Sequence, residues 1–241
     1  MNIVEPAVQL LAHTAIVPDA IEQRLEIQEG STDAETLTVY AGRSCYESWS
    51  RPNEKTREDK DYLRRTLFEQ GHFSILEHAS ATFYITGVSR ALTHELVRHR
   101  HLSYSQLSQR FVDESEANIV IPPAAKKSEA EVVLQREDYY DDMSGSIPEA
   151  LEWWGQEAVW KYEDLVSALT GEGLPRKQAR EAARAMLPNM VETKIVVTGN
   201  LRAWHEVIER PAAPDADAEF QQVAGMIRDE LKKLAPAIFK D

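Results

Sequence analysis

The chain has 241 residues, one cysteine and a formal net charge of −13, from 27 Lys and Arg against 40 Asp and Glu. That length buries a sizeable core, the acidic balance argues against a surface made to coat nucleic acid, and a lone Cys45 excludes a disulfide scaffold. No apolar run approaches the ~20 residues of a spanning helix and no secretory leader is visible, so a cytoplasmic globular protein is expected.

In chain order, the pattern predicts an opening strand at 8–13 and a polar stretch at 19–33. An amphipathic helix follows at 34–46, with Leu37, Val39, Tyr40 and Ala41 apolar. A strongly charged helix at 53–70 closes on Gly71. Alternation over 79–86 predicts a strand ended by Gly87, and Ser89 caps a helix reaching about Val97. A strand pair is predicted at 109–112 and 118–121, the second stopped by Pro122 and Pro123, with 124–142 a surface excursion. Helices at 148–169 and 176–187, flanked by Pro175 and Pro188, precede a strand at 193–198 and helices at 201–209 and 217–234. The elements mix without a βαβ rhythm. The expected fold is α+β, a mostly antiparallel sheet flanked by helices, in one domain over 1–241.

Chemistry concentrates in the middle. Five of the seven histidines, at 72, 78, 94, 99 and 101, lie within thirty residues, and residues 90–110 hold four arginines against one acid, Glu95. This stretch inverts the sign of the chain. Arginine's planar fork suits phosphate and carboxylate, and the interleaved Ser and Gln offer neutral donors and acceptors to a heterocycle. The bland reading is a solvated basic face. A zinc-binding helix fails on spacing, because His94 and His99 are five apart and fall about 140° apart on a helix, so no metal is expected. Nucleic-acid binding with Tyr104 stacking is disfavoured by the overall charge, which leaves a small nucleotide. His78 reads as a hydrogen-bonded core histidine and His101 as structural or solvent-facing. Trp153, Trp154 and Trp160 read as a core helix face. Arg176, Lys177 and Arg180 read as a basic helix surface, and Cys45 as a small buried thiol in a helix.

Arg98-His99-Arg100, seven residues and then Ser108 resembles the RHR-x7-S signature of flavin-dependent thymidylate synthases, the ThyX family. His72-Phe73-Ser74-Ile75-Leu76-Glu77-His78 resembles that family's upstream flavin segment. Arg176 through Asn189 and Gly199-Asn200-Leu201-Arg202 resemble its downstream half. The resemblance implies a single-domain ThyX-like fold that makes dTMP from dUMP. Methylenetetrahydrofolate gives the one-carbon unit, and FAD reduced by NADPH gives the hydride. It assigns His72, Ser74, Glu77, Arg98, His99, Arg100, Gln106, Asn200, Arg202 and His205 to FAD. To dUMP it assigns Arg90, Glu95, Arg98, Gln106, Leu107, Ser108, Gln109, Arg110, Arg184 and Arg210. It also implies a homotetramer with sites at subunit interfaces, and no nucleic-acid or membrane partner.

Two points bear on mechanism. Cys45 is the one candidate thiolate, and Ser108 has no evident base, so the residues fit a reaction without an enzyme nucleophile. The site would polarise the uracil, with an arginine stabilising charge on the ring. The family's activating arginine, counted from Asn200, falls on Pro211, and its histidine on Glu206. A one-residue shift after Trp204 brings Arg210 and His205 into those slots and makes Arg210 the expected catalytic group. The alternative is a non-catalytic flavin- or nucleotide-binding homologue. Residues 90–110 and 174–210 each carry a net +3 on an otherwise acidic chain, as small phosphorylated ligands require.

Overall fold

A computed structural model describes residues 1–134, 143–209 and 217–239. Its strands are β1 (Ala7–His13), β2 (Ser80–Ser89), β3 (Leu102–Gln106), β4 (Glu131–Leu134), β5 (Met143–Ser146) and β6 (Glu192–Asn200). The helices are α1 (Pro18–Glu22), α2 (Asp33–Ser44), α3 (Asp59–Leu63), α4 (Arg90–Leu96), α5 (Pro123–Lys126), α6 (Ile147–Gly171), α7 (Arg176–Ala183), α8 (Leu201–Glu209) and α9 (Ala218–Leu234). β1, β2, β6 and β3 form an antiparallel sheet in that order, and β4 pairs with β5 separately. The expected α+β class holds.

Alternation explains the sheet. In β6, Thr193, Ile195, Val197 and Gly199 turn inward while their neighbours are half-exposed, and β2 does the same through Ala81, Phe83 and Ile85. Onto that inner face pack Leu92 and Leu96 of α4, Trp204 of α8 and Phe220, Ile227 and Leu231 of α9. Trp204 meets Phe83 edge-on at 5.0 Å, and its indole N–H donates to the Ala81 carbonyl at 3.0 Å. A large aromatic thus fills the core without leaving its polar atom unpaired.

Several expectations are corrected. The strand beside β6 is Leu102–Gln106, inside the basic stretch. Residues 109–112 form a turn, and Ile119 makes isolated bridges to Ile3 and Val191. Polar Ser and Gln hid β3, since an edge strand pairs through backbone whatever its side chains. β2 does not stop at Gly87 but passes it with a register shift. Gly87 has φ +64°, and a Cβ there would lie 1.9 Å from the Glu5 carbonyl oxygen. The helix expected at 53–70 is broken into a 3₁₀ turn (Glu54–Thr56), α3 and a π-helical turn (Arg64–Glu69), ending at Gly71 as expected. Buried Arg51 and Asp59, paired at 2.5 Å, hold the first break, and Arg51 also donates to the Arg57 and Glu26 carbonyls. α7 ends at Ala183 and tightens into a 3₁₀ turn, Arg184–Met186. α1 lies within the stretch expected to be merely polar. Cys45 and His78 are exposed rather than core, as are Trp154 and Trp160 at 43% and 50%.

Candidate active site

The basic stretch is held by its ends. Ser89 caps α4, its Oγ accepting the Leu92 N–H at 3.0 Å. α4 runs back along the sheet to Leu96, the chain turns through Val97–His101, and β3 returns beside β6. Tyr104 of β3 fixes the turn: its hydroxyl lies 2.7 Å from the Leu96 carbonyl oxygen and 2.8 Å from that of His99, sharing one proton between them. Burial pushes the Tyr104 hydroxyl up to about 12, so it stays a donor throughout the neutral range. Because α4 ends at Leu96, His94 and His99 are not even on one helix. His94 is exposed, while His99 stacks on Phe220 at 5.9 Å. Among the described residues, no three His, Cys, Asp or Glu side chains converge as a metal site.

Arg98 and Arg100 point into solvent from this turn. Among the described residues, Arg98 pairs with Glu95 alone, at 3.8 Å, and Arg100 forms no ion pair. Beside the turn, Gly199 of β6 faces Leu102; a Cβ there would meet Leu102 Cδ2 at 2.1 Å, so glycine lets β3 close on β6. The next residue, Asn200, accepts the Ala203 N–H at 2.9 Å and caps α8. Arg202, the second residue of α8, pairs with Glu77 and lies 3.8 Å from Glu206. Glu77, His101, Asn200, Arg202 and Glu206 line one cleft of about 210 Å³. Of the residues expected to hold the flavin, Glu77, Asn200 and Arg202 meet in this cleft at the Leu102–Asn200 end of the sheet. His101, expected merely to face solvent, does so from inside this cleft. Nothing in the sequence marked it, since its role comes from the pairing of Leu102 with Gly199.

His72 and Ser74 face a neighbouring cavity of about 230 Å³, lined also by Cys45, Tyr46 and Tyr62. His205 departs from its expected company. Its ring packs on Phe73 at 5.0 Å and Phe239 at 6.5 Å, in a third cavity with Phe68, Arg64 and Arg228. Burial lowers its pKa, keeping the imidazole neutral at pH 7.

The expected dUMP residues gather at the other end of β3. At ~3.4 Å per residue, Gln106 lies roughly 14 Å from Leu102. The Gln106 amide donates within the chain, to the Thr93 and Thr193 hydroxyls at 3.1 and 3.2 Å. Leu107 contributes backbone, its N–H donating to the Lys194 carbonyl at 2.8 Å. The Ser108 carbonyl accepts from Phe111 and Val112 and starts a tight turn. α7 grips that turn: Arg180 donates to the Phe111 carbonyl at 2.7 Å and pairs with Asp113, and Glu181 meets Arg110 at 2.8 Å. The supposed basic helix surface is thus partly a clamp. Gln109 is buried, and its Nε2 has no partner. Arg184 is exposed at the end of α7, close enough to lower the pKa of half-buried Arg90, whose guanidinium is affected first by burial. Arg90, Arg110, Arg184 and Ser108 thus belong to one neighbourhood, suited to an anion. Arg210 lies outside the described residues.

Comparison with known proteins shows the family to which the chain is similar. The family model for thymidylate synthase complementing protein matches residues 27–237. The flavin-dependent thymidylate synthase of Mycobacteroides abscessus (strain ATCC 19977) is 47% identical over 245 residues, covering 100% of this chain and 91% of its own. Those of Mycobacterium tuberculosis (strain H37Rv) and Mycobacterium avium (strain 104) are 46% and 47% identical, each over 88% of this chain and 82% of their own.

Proposed function

We propose that this chain, which belongs to the thymidylate synthase complementing protein family, is a flavin-dependent thymidylate synthase. It converts dUMP to dTMP, with methylenetetrahydrofolate as one-carbon donor and NADPH as reductant. The observation that supports this is a polar cleft at one end of the edge strand β3, with Asn200 and Arg202, and an arginine-bearing turn, Ser108–Arg110, just beyond its other end. FAD, when bound, supplies the hydride that completes the methyl group. The cleft is lined by Arg202, Asn200 and His101 together with Glu77 and Glu206, and exposed Arg98 and Arg100 on the turn that leads to His101 suit a diphosphate.

The residues of this chain orient and polarise. Arg184, Arg90 and Arg110 hold the dUMP phosphate, and Arg210 stabilises charge on the pyrimidine. No side chain attacks the ring: Cys45 opens to the His72 cavity, away from the Ser108 turn. The roughly 14 Å between the sites in one protomer favours an active site completed by a second copy. The apolar side chains exposed around the anion site and α6 (Phe111, Val112, Trp154 and Trp160) favour a homotetramer. Among the described residues, no helix is long and apolar enough to cross a membrane, and the reading is of a one-domain cytoplasmic enzyme. The test is dTMP formation from dUMP, methylenetetrahydrofolate, NADPH and FAD. Flavin and dUMP binding without dTMP would instead identify a non-catalytic homologue.

A further inference from the structure

Beneath the proposed phosphate site lies a carboxyl that the reaction does not use. Glu114 closes the Ser108 turn and is only 4% exposed. Its backbone N–H lies 3.4 Å from the Tyr162 hydroxyl of α6, while its Oε1 is buried without a hydrogen-bond partner among the described residues. Arg90 Nη1, at the start of α4, is also buried without a partner. The two groups feel each other electrostatically, yet no hydrogen bond joins them. Arg184, a second cation, is close enough to act on Arg90. A buried carboxyl beside an arginine that a second arginine also crowds, with a polar atom left open on each of the first two, forms a site whose charge is settled by what binds.

We propose that Glu114 is a proton-linked counter-charge of the phosphate site: ionised, it balances the charge of Arg90 in the free enzyme, and docking of a phosphomonoester on Arg90 and Arg184 draws a proton onto it. The proposal rests on the dUMP reading above. A phosphate dianion replaces the carboxylate as the anion served by Arg90, and the buried carboxyl is neutralised rather than left as an unpaired charge. Burial pushes Glu114 up to about 7, with Arg90 pulling it down. The other charged groups facing it act in both directions: Asp113 of the same turn and Glu192 of β6 raise it, and Lys194 of β6 lowers it. Arg180 of α7 is engaged by Asp113. Glu114 is thus held near neutrality by opposed influences, and removing Arg90 from it shifts it further towards the protonated form.

The test is calorimetric titration of dUMP into the FAD-loaded enzyme at pH 8, in two buffers of different ionisation enthalpy. At that pH a phosphomonoester, with second pKa near 6, is already a dianion and takes up no proton itself. Uptake of about half a proton or more per dUMP is expected, with none for deoxyuridine, which lacks the phosphate. In Glu114→Gln the uptake disappears, and at pH 8 that variant binds dUMP about fivefold more tightly than the parent, while near pH 6 the two converge. A merely structural role gives weaker binding at both pH values. Absence of uptake in the parent enzyme while dUMP binds, or uptake unchanged in Glu114→Gln, overturns the proposal and leaves the function standing. No dUMP binding at all overturns the functional reading itself. Should Glu114→Gln not fold, the parent's contrast between dUMP and deoxyuridine decides.

Discussion

Glu219 accepts both the backbone N–H of Ser89, at 2.7 Å, and its hydroxyl, at 2.6 Å. Ser89 in turn caps the helix that carries Arg90 and leads to Arg98, so a buried carboxylate on α9 fixes the start of the ligand-binding stretch. Removing it in Glu219→Ala leaves a buried N–H and hydroxyl unpaired. The expected loss is about 2–3 kcal/mol of stability, read by chemical denaturation, with weaker dUMP binding. Unchanged stability would mean that the cap holds without Glu219.

Arg202 and Glu77 form an ion pair that is nearly half exposed at each partner, in the cleft with His101 and Asn200. Exposed pairs contribute about 1 kcal/mol or less. Arg202→Ala is therefore expected to lower FAD affinity at least tenfold, by flavin fluorescence titration, while Tm barely moves; losing one charge-assisted contact of about 1.5 kcal/mol gives that factor. Parallel loss of Tm and flavin would make Arg202 structural.

Tyr104→Phe removes the hydroxyl between the Leu96 and His99 carbonyls. It is expected to cost about 1 kcal/mol and to weaken FAD binding by loosening the Arg98–Arg100 turn. The pH dependence has a definite sign. Tyr104 sits at about 12 in the fold against 10 unfolded, so the fold favours its neutral form. Its contribution is full below pH 10 and is lost as pH rises towards 12. The alkaline fall in stability over that window should be shallower in Tyr104→Phe, by denaturation at a series of pH values.

How much of this was legible beforehand depends on what kind of signal each residue carries. β6 and the Ser89 cap follow from alternation and a hydroxyl before an apolar run. The edge strand Leu102–Gln106 does not, because Ser103, Ser105 and Gln106 lack the β-branched pattern and the pairing comes from β6's free edge. Thr32 and Glu35 form a capping box at α2 that spacing offered but the helix boundary missed. Glu114 and Glu219 look like surface acids in an acidic chain; burial, which only the fold provides, gives each its role. The expectation of a buried Cys45 failed because α2 ends at that residue, turning its thiol outward.

That exposure sharpens the nucleophile question. Cys45 makes one weak contact, from Sγ to the Ala41 carbonyl at 3.4 Å. Cys45→Ala is expected to keep dTMP formation within about twofold and stability within about 0.5 kcal/mol. A folded Cys45→Ala enzyme that binds FAD and dUMP but makes no dTMP would require a thiolate mechanism.

The central claim is tested most directly by the stoichiometry of the complete reaction: dTMP formed against NADPH oxidised, in the FAD-loaded enzyme with dUMP and methylenetetrahydrofolate. The expected result is one dTMP per NADPH, because each new methyl group takes one hydride from the flavin. NADPH consumed with no dTMP, or dTMP formed without NADPH, contradicts it.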